Sequence, residues 1–253
     1  MPIAERFIDK DPNTLTWVSL VFAFLAGVCF YFGNSVYLES TLFPDKRQYI
    51  LFIVAVLFIF LNGLFDALDG KVARLTGKSS ARGDFLDHVV DRFADMFIIG
   101  GIAISPYCNP TLGTLSLVTV LLVSYMGTQA QALGCGRNYG GYLGRADRIV
   151  ILMIAPVFQV LLFYVWDNGR FPMIDLNLME CVLVVFTVLG IMTVIQRGVQ
   201  TWDELGREDG TRGRGPNRVG GSVNRSDIRQ THDSRDQNAN NGHLRQGGNA
   251  KYK

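Results

Sequence analysis

Asp66-Ala67-Leu68-Asp69-Gly70-Lys71-Val72-Ala73-Arg74, then eight residues, then Gly83-Asp84-Phe85-Leu86-Asp87-His88-Val89-Val90-Asp91: these two short runs interrupt a sequence that otherwise reads as membrane. Asp66, Asp69 and Ala73 recur at helical intervals, as do Asp87 and Asp91, so two helices can each turn a polar stripe toward the other. The residues between them, Leu75 to Arg82, are polar and small, which allows a tight antiparallel return. Carboxylates facing one another across such a gap suit a hard divalent cation.

Outward from this stretch, 49% of the 253 residues are apolar and they gather into long runs. The pattern predicts an all-α integral membrane protein with six transmembrane helices, near residues 14–38, 49–65, 83–105, 112–132, 145–166 and 178–195. Residues 1–13 form a short N-terminal juxtamembrane segment, read as a surface helix broken by Pro12 and Asn13, and 14–207 the six-helix catalytic domain. Residues 208–253 are rich in Gly, Asn, Arg, Asp and Gln, too polar to offset their ordering entropy, and are expected to be a disordered tail. The third helix carries Asp84, Asp87, His88, Asp91, Arg92 and Asp95 near its start, a charge density that requires a wet or protein-lined environment.

A net charge of +2 is too small to imply nucleic acid. The distribution is more informative than the sum. Lys71, Arg74, Lys78, Arg82, Arg137, Arg145, Arg148 and Arg197 fall at one end of the alternating spans, against Lys46, Arg47 and Arg170 at the other, so the aspartates and both termini are expected on the cytoplasmic side. Cys29, Cys108, Cys135 and Cys181 are scattered singly and read as structural. The first residues lack the form of a removable signal peptide, which leaves the first span as its own insertion signal.

The complete pattern, Asp66-x-x-Asp69-Gly70-x-x-Ala73-Arg74 followed by Gly83-x-x-x-Asp87-x-x-x-Asp91, resembles the signature of the CDP-alcohol phosphotransferase family of integral membrane enzymes, including its archaeal-type phosphoinositide and glycerophosphate lipid synthases. That resemblance implies attack of an acceptor hydroxyl on a CDP-linked lipid, with CMP leaving. It implies Asp66, Asp69, Asp87 and Asp91 as ligands of two Mg2+ or Mn2+ ions, with Asp91 also the general base. Asp66, Asp69, Gly70, Ala73, Arg74 and Gly83 would bind the donor nucleotide, and a homodimer is expected. The chemistry is consistent with the residue types, since bridging divalent ions neutralise a pyrophosphate and an arginine fork matches phosphate oxygens. His88 is assigned to packing or hydrogen bonding, Asp84 and Asp95 to supporting or exposed positions, and Asn62 either to orienting a ligand or to joining two spans.

The acceptor divides the reading. Arg145 and Arg148, three residues apart, fit a phosphorylated polyol such as glycerol phosphate or inositol phosphate, with Lys78 or Arg137 assisting. Gln129 and Gln131 are neutral where similar phosphoinositide-type enzymes carry charge, which keeps a free alcohol such as serine or inositol open. Two more distant alternatives are a membrane prenyltransferase, which has a second separated Asp-rich motif, and a metal-ion transporter, in which Gly70, Ala73, Arg74 and Gly83 would have no purpose.

Overall fold

The computed structural model describes residues 10–33, 49–135, 140–165 and 169–212, and the structural statements that follow concern those residues. Six long helices account for nearly all of them: α1 (Pro12–Phe32), α2 (Tyr49–Leu75), α3 (Ala81–Ala103), α4 (Pro110–Ala132), α5 (Arg145–Val165) and α6 (Leu178–Arg212). A two-stranded antiparallel hairpin, β1 (Arg170–Phe171) and β2 (Leu176–Asn177), joins α5 to α6 and pairs Arg170 with Asn177. By length and composition α1, α2, α4, α5 and α6 can cross a membrane; α3 is long enough but carries Arg82, Asp84, Asp87, Asp91, Arg92 and Asp95.

Several boundaries differ from the sequence reading. Pro12 does not break a helix but begins one, because Asp11 caps α1 through its side chain and the missing proline N–H would have had no partner in the first turn. Helix α2 runs through the first aspartate run to Leu75, so Asp66 to Arg74 continue the span that delivers them. Helix α6 extends well past residue 195 to Arg212, beyond the position where the polar tail was expected to begin. Residues 1–9, 34–48 and 213–253, and with them most of the N-terminal segment and of the tail, lie outside the described residues, as does Trp166.

Helix α1 packs along both α2 and α3, α4 along α3, and α5 along α2. Small residues make the closest crossings. A side chain at Gly27 would collide with the Phe97 carbonyl, one at Gly101 with the Gly27 backbone, and one at Gly113 with Ala103, so α1, α3 and α4 approach at backbone distance. Around these crossings Ala26, Phe30, Ile59, Ile99, Val120, Leu183 and Phe186 form one buried core. Ser80 caps α3 by accepting the Gly83 N–H at 3.1 Å, which fixes the return after α2 and aligns the two aspartate runs. With α2 and α3 antiparallel, the ends of α2 and α4, the Arg197 stretch of α6 and the starts of α1, α3 and α5 meet at one end of the bundle.

Candidate active site

Helix α2 supplies Asp66 and helix α3 supplies Asp87 and Asp91; their carboxylate oxygens lie within 4.8 Å of one another. Asp69 stands beside this trio without joining it, since its Oδ2 accepts a 2.6 Å hydrogen bond from Thr16 of α1. Arg145, the first residue of α5, bridges two of the three: Nη1 lies 2.8 Å from Asp66 Oδ2 and Nη2 2.8 Å from Asp91 Oδ1. Arg92 is farther off, 3.7 Å from Asp91. One bridging guanidinium leaves three clustered carboxylates with excess negative charge, and Asp66 Oδ1 is buried without a hydrogen-bond partner. Hard oxygen donors with an open valence fit a divalent cation.

Two cavities flank the trio. The first, about 350 Å³, is lined by Thr16, Asp66, Asp69, Gly70, Ala73, Arg74, Lys78, Gly83, Asp84 and Asp87. The second, about 280 Å³, is lined by Asp87, His88, Asp91, Arg92, Asp95, Gln131, Arg145, Arg148 and Arg197, among others. Asp87 therefore faces both, Asp66 and Asp69 the first, and Asp91 the second. At Gly70 an added Cβ would meet only the Arg74 guanidinium, at 3.7 Å, so protein packing does not demand the glycine there. Its missing side chain keeps the first cavity open.

All six residues expected around the donor line this first cavity. The acceptor set is redistributed. Arg145 and Arg148 line the second cavity, but Lys78 lines the first. Gln129 is exposed and is absent from both linings; Gln131, two residues on and so on a different side of the helix, reaches the second. Arg137 lies outside the described residues. His88 sits 3.8 Å from Asp87 and 3.9 Å from Asp84 through Nδ1 and contributes to the second cavity wall. Asn62 donates to the Ser19 carbonyl at 2.9 Å, joining α2 to α1.

Two residues that line or support the site, Thr16 and Arg197, were not anticipated as members of it, while Asp95, expected in a supporting or exposed position, takes a supporting one. Thr16 anchors Asp69 from another helix, and no local pattern marks it. Arg197 of α6 enters the second cavity, held by the carbonyls of Gly140 at 2.9 Å and Val123 at 2.7 Å. Asp95 is buried and meets Arg148 at 2.6 Å. A lone arginine after a long apolar run and an aspartate one turn beyond the motif were the available signals.

With this geometry in place, the profile of the CDP-alcohol phosphatidyltransferase family matches residues 10–196. The chain belongs to that family. The transferase is 33% identical over 148 residues to the archaetidylinositol phosphate synthase of Pyrococcus horikoshii, an alignment covering 58% of this chain and 70% of the relative. It is 29% identical over 208 residues to the phosphatidylinositol phosphate synthase of Cutibacterium acnes, covering 78% and 89%. Its fold is that of the Mycobacterium tuberculosis phosphatidylinositol phosphate synthase. Against the structure of that enzyme with manganese and citrate, the TM-score is 0.60 at 22% identity, over 79% of this chain and 88% of the other. The structure with CDP-DAG bound gives a TM-score of 0.59 at 21% identity, over 79% and 92%. The transferase is thus an enzyme of phospholipid synthesis with a multi-helix membrane fold and an acidic cluster suited to a divalent cation.

Proposed function

We propose that the transferase moves a phosphatidyl-type or archaetidyl-type group from a CDP-linked lipid to a hydroxyl of inositol phosphate, releasing CMP. The observation that carries this reading is the second cavity, where Arg145, Arg148 and Arg197 converge from two helices beside Asp91, with Arg92 at the rim. Each guanidinium is anchored by protein through only part of its donors, and a phosphate dianion accepts forked hydrogen bonds from the remainder where a neutral alcohol offers no charge to match them. The names of archaeal and bacterial relatives point to the same acceptor class.

In this reading the donor's cytidine and pyrophosphate occupy the first cavity. Gly70 and Gly83 let the nucleotide approach the backbone, while Arg74 and Lys78 meet phosphate oxygens. Asp66, Asp87 and Asp91, with Asp69 completing a second shared site, would hold two Mg2+ or Mn2+ ions, which supply charge neutralisation at the pyrophosphate. Arginines in the second cavity orient the acceptor so that its hydroxyl lies against Asp91. Asp91 takes the hydroxyl proton as the acceptor oxygen bonds to the lipid-side phosphorus; the bond from that phosphorus to the CMP oxygen breaks, and CMP carries away the electron pair. Placing Asp87 between the two cavities puts the reacting phosphorus at their junction.

All six helices cross the bilayer in this proposal, with α3 sheltered by protein. Its outward face exposes Phe85 and Phe93 among Asp84, His88 and Arg92, a combination better covered by a second copy than by lipid, which supports a homodimer. The end carrying the site also carries Lys71, Arg74, Lys78, Arg82, Arg145, Arg148 and Arg197, which supports a cytoplasmic active site and cytoplasmic termini.

The test is CMP release by the purified protein in detergent with manganese or magnesium, using CDP-diacylglycerol and CDP-archaeol as parallel donors. Inositol 1-phosphate, glycerol 3-phosphate, inositol and serine are compared as acceptors. Release with inositol 1-phosphate is the expected result. Release confined to free inositol or serine overturns the acceptor assignment and shifts attention to Gln131.

A further inference from the structure

Asp95 lies one helical turn past Asp91 and outside the family pattern, yet it is among the most enclosed carboxylates of the molecule, 7% exposed. Its Oδ2 is 2.6 Å from Arg148 Nη2, and Arg148 is itself only 2% exposed. Burying both ions is not explained by stability, because desolvation offsets most of the attraction and an apolar pair of the same volume would serve the fold as well. We infer that Asp95 is a positioning residue for the acceptor: it holds Arg148 by one edge of the guanidinium so that the rest is presented to the second cavity. This inference rests on the phosphorylated-acceptor reading above.

Each arginine converging on that cavity has a different anchor. Arg145 is committed to Asp66 and Asp91, and Arg197 to two backbone carbonyls. Arg148 is tied to Asp95, and its Nε is buried with no hydrogen-bond partner. Asp95 and Asp91 are neighbours on one face of α3, four residues apart, so Asp91 is the next carboxylate along the stripe. A guanidinium released from Asp95 is drawn toward Asp91, the proposed base, and away from an incoming phosphate. Asp95 therefore does two things through Arg148: it fixes the spacing between cationic groups that recognises the acceptor, and it keeps that cation off Asp91. The stripe Asp87, Asp91, Asp95 thus passes along one helix from cation binding to acceptor positioning.

The experiment measures steady-state CMP release with CDP-diacylglycerol and inositol 1-phosphate for the wild type, Asp95→Asn, Asp95→Glu, Arg148→Gln and the Asp95→Asn/Arg148→Gln double variant, with a melting curve for each. The expected result for Asp95→Asn is a rise in KM for inositol 1-phosphate of roughly 10- to 100-fold, with the KM for CDP-diacylglycerol unmoved. Asp95→Glu, which keeps the charge, recovers part of the acceptor affinity. In the double variant the loss is much smaller than the product of the single losses, because both act through one guanidinium. Where the wild type uses inositol 1-phosphate, an unchanged acceptor KM in Asp95→Asn overturns this inference alone, and so does a parallel loss of donor affinity and melting temperature in both Asp95 variants. A wild type that does not use inositol 1-phosphate overturns the functional reading and this inference with it.

Discussion

Two clusters of polar side chains are buried at opposite ends of the apolar bundle, and they are finished differently. At the end away from the aspartates, Gln159 donates to the Tyr107 hydroxyl at 2.7 Å and to the Gly169 carbonyl at 2.9 Å, while its oxygen accepts the Leu178 N–H at 2.7 Å. Glu180 accepts from the Asn109 and Asn177 N–H groups at 2.8 and 3.0 Å, and Asn177 donates to the Tyr107 carbonyl at 2.8 Å. This cluster is closed on itself. At the aspartate end the reverse holds: of the buried side-chain polar atoms without a hydrogen-bond partner among the described residues, Asp66 Oδ1, Arg145 Nε and Arg148 Nε all belong to this cluster, and Asp91 Oδ1 has only its ion pair with Arg145. Where polarity serves the fold, its valences are filled by protein; where they are left open, something else is meant to fill them.

The largest expected effect tests the open cluster. Asp91→Asn removes the proposed base but keeps its shape, so CMP release falls by about 10²- to 10⁴-fold while CDP-lipid binding and melting temperature stay near those of the wild type. Turnover close to normal removes Asp91 from the mechanism. The closed cluster responds in the opposite sense. Glu180→Ala strips two backbone N–H groups of their acceptor, each worth about 1–3 kcal/mol when left buried, so the protein melts at a lower temperature in detergent. Molecules that remain folded keep their acceptor and donor KM values. If Glu180→Ala instead changes KM at constant melting temperature, the division between the two ends is wrong.

Much of the open end was legible in the sequence because its residues obey a local period. Offsets of three and four residues place Asp66 and Asp69 on one helix and Asp87 and Asp91 on another, and a short polar return can only bring those helices together antiparallel. The apolar runs gave the helices for the same reason. What escaped is what depends on distant chain segments: Thr16 reaches Asp69 from α1, Arg197 reaches the second cavity from α6, and the partners that hold each of them have no fixed sequence offset. Asp95 is intermediate, since its period was visible while its partner was not. The closed end was invisible altogether. Tyr107, Gln159, Asn177 and Glu180 come from three separate stretches, the β1–β2 hairpin has only two residues per strand, and nothing in a one-dimensional pattern says that they complete one another.

Cys108 offers the smallest effect and the finest probe of closure. It sits in the connection between α3 and α4, next to the Asn109 N–H that Glu180 accepts, and burial, reinforced by the Glu180 charge, pushes its thiol up to about 12. At pH 8 roughly one thiol in ten thousand is then ionised, and only the thiolate reacts. Maleimide labelling of Cys108 at that pH, read by mass spectrometry, is therefore expected to be slow in the folded transferase and rapid after unfolding. The sign of the linkage follows from the raised folded value: the thiol's contribution to stability is intact below its ordinary value of 9.0 and is lost as the pH rises toward 12, since the unfolded chain gives up the proton first. In Glu180→Ala the neighbouring charge is gone but so is the seal, and the two act oppositely on reactivity. Faster labelling in that variant means that enclosure dominates and that the network closes this end; slower labelling means that the Glu180 charge dominates, and the closed cluster is then less sealed than its hydrogen bonds imply.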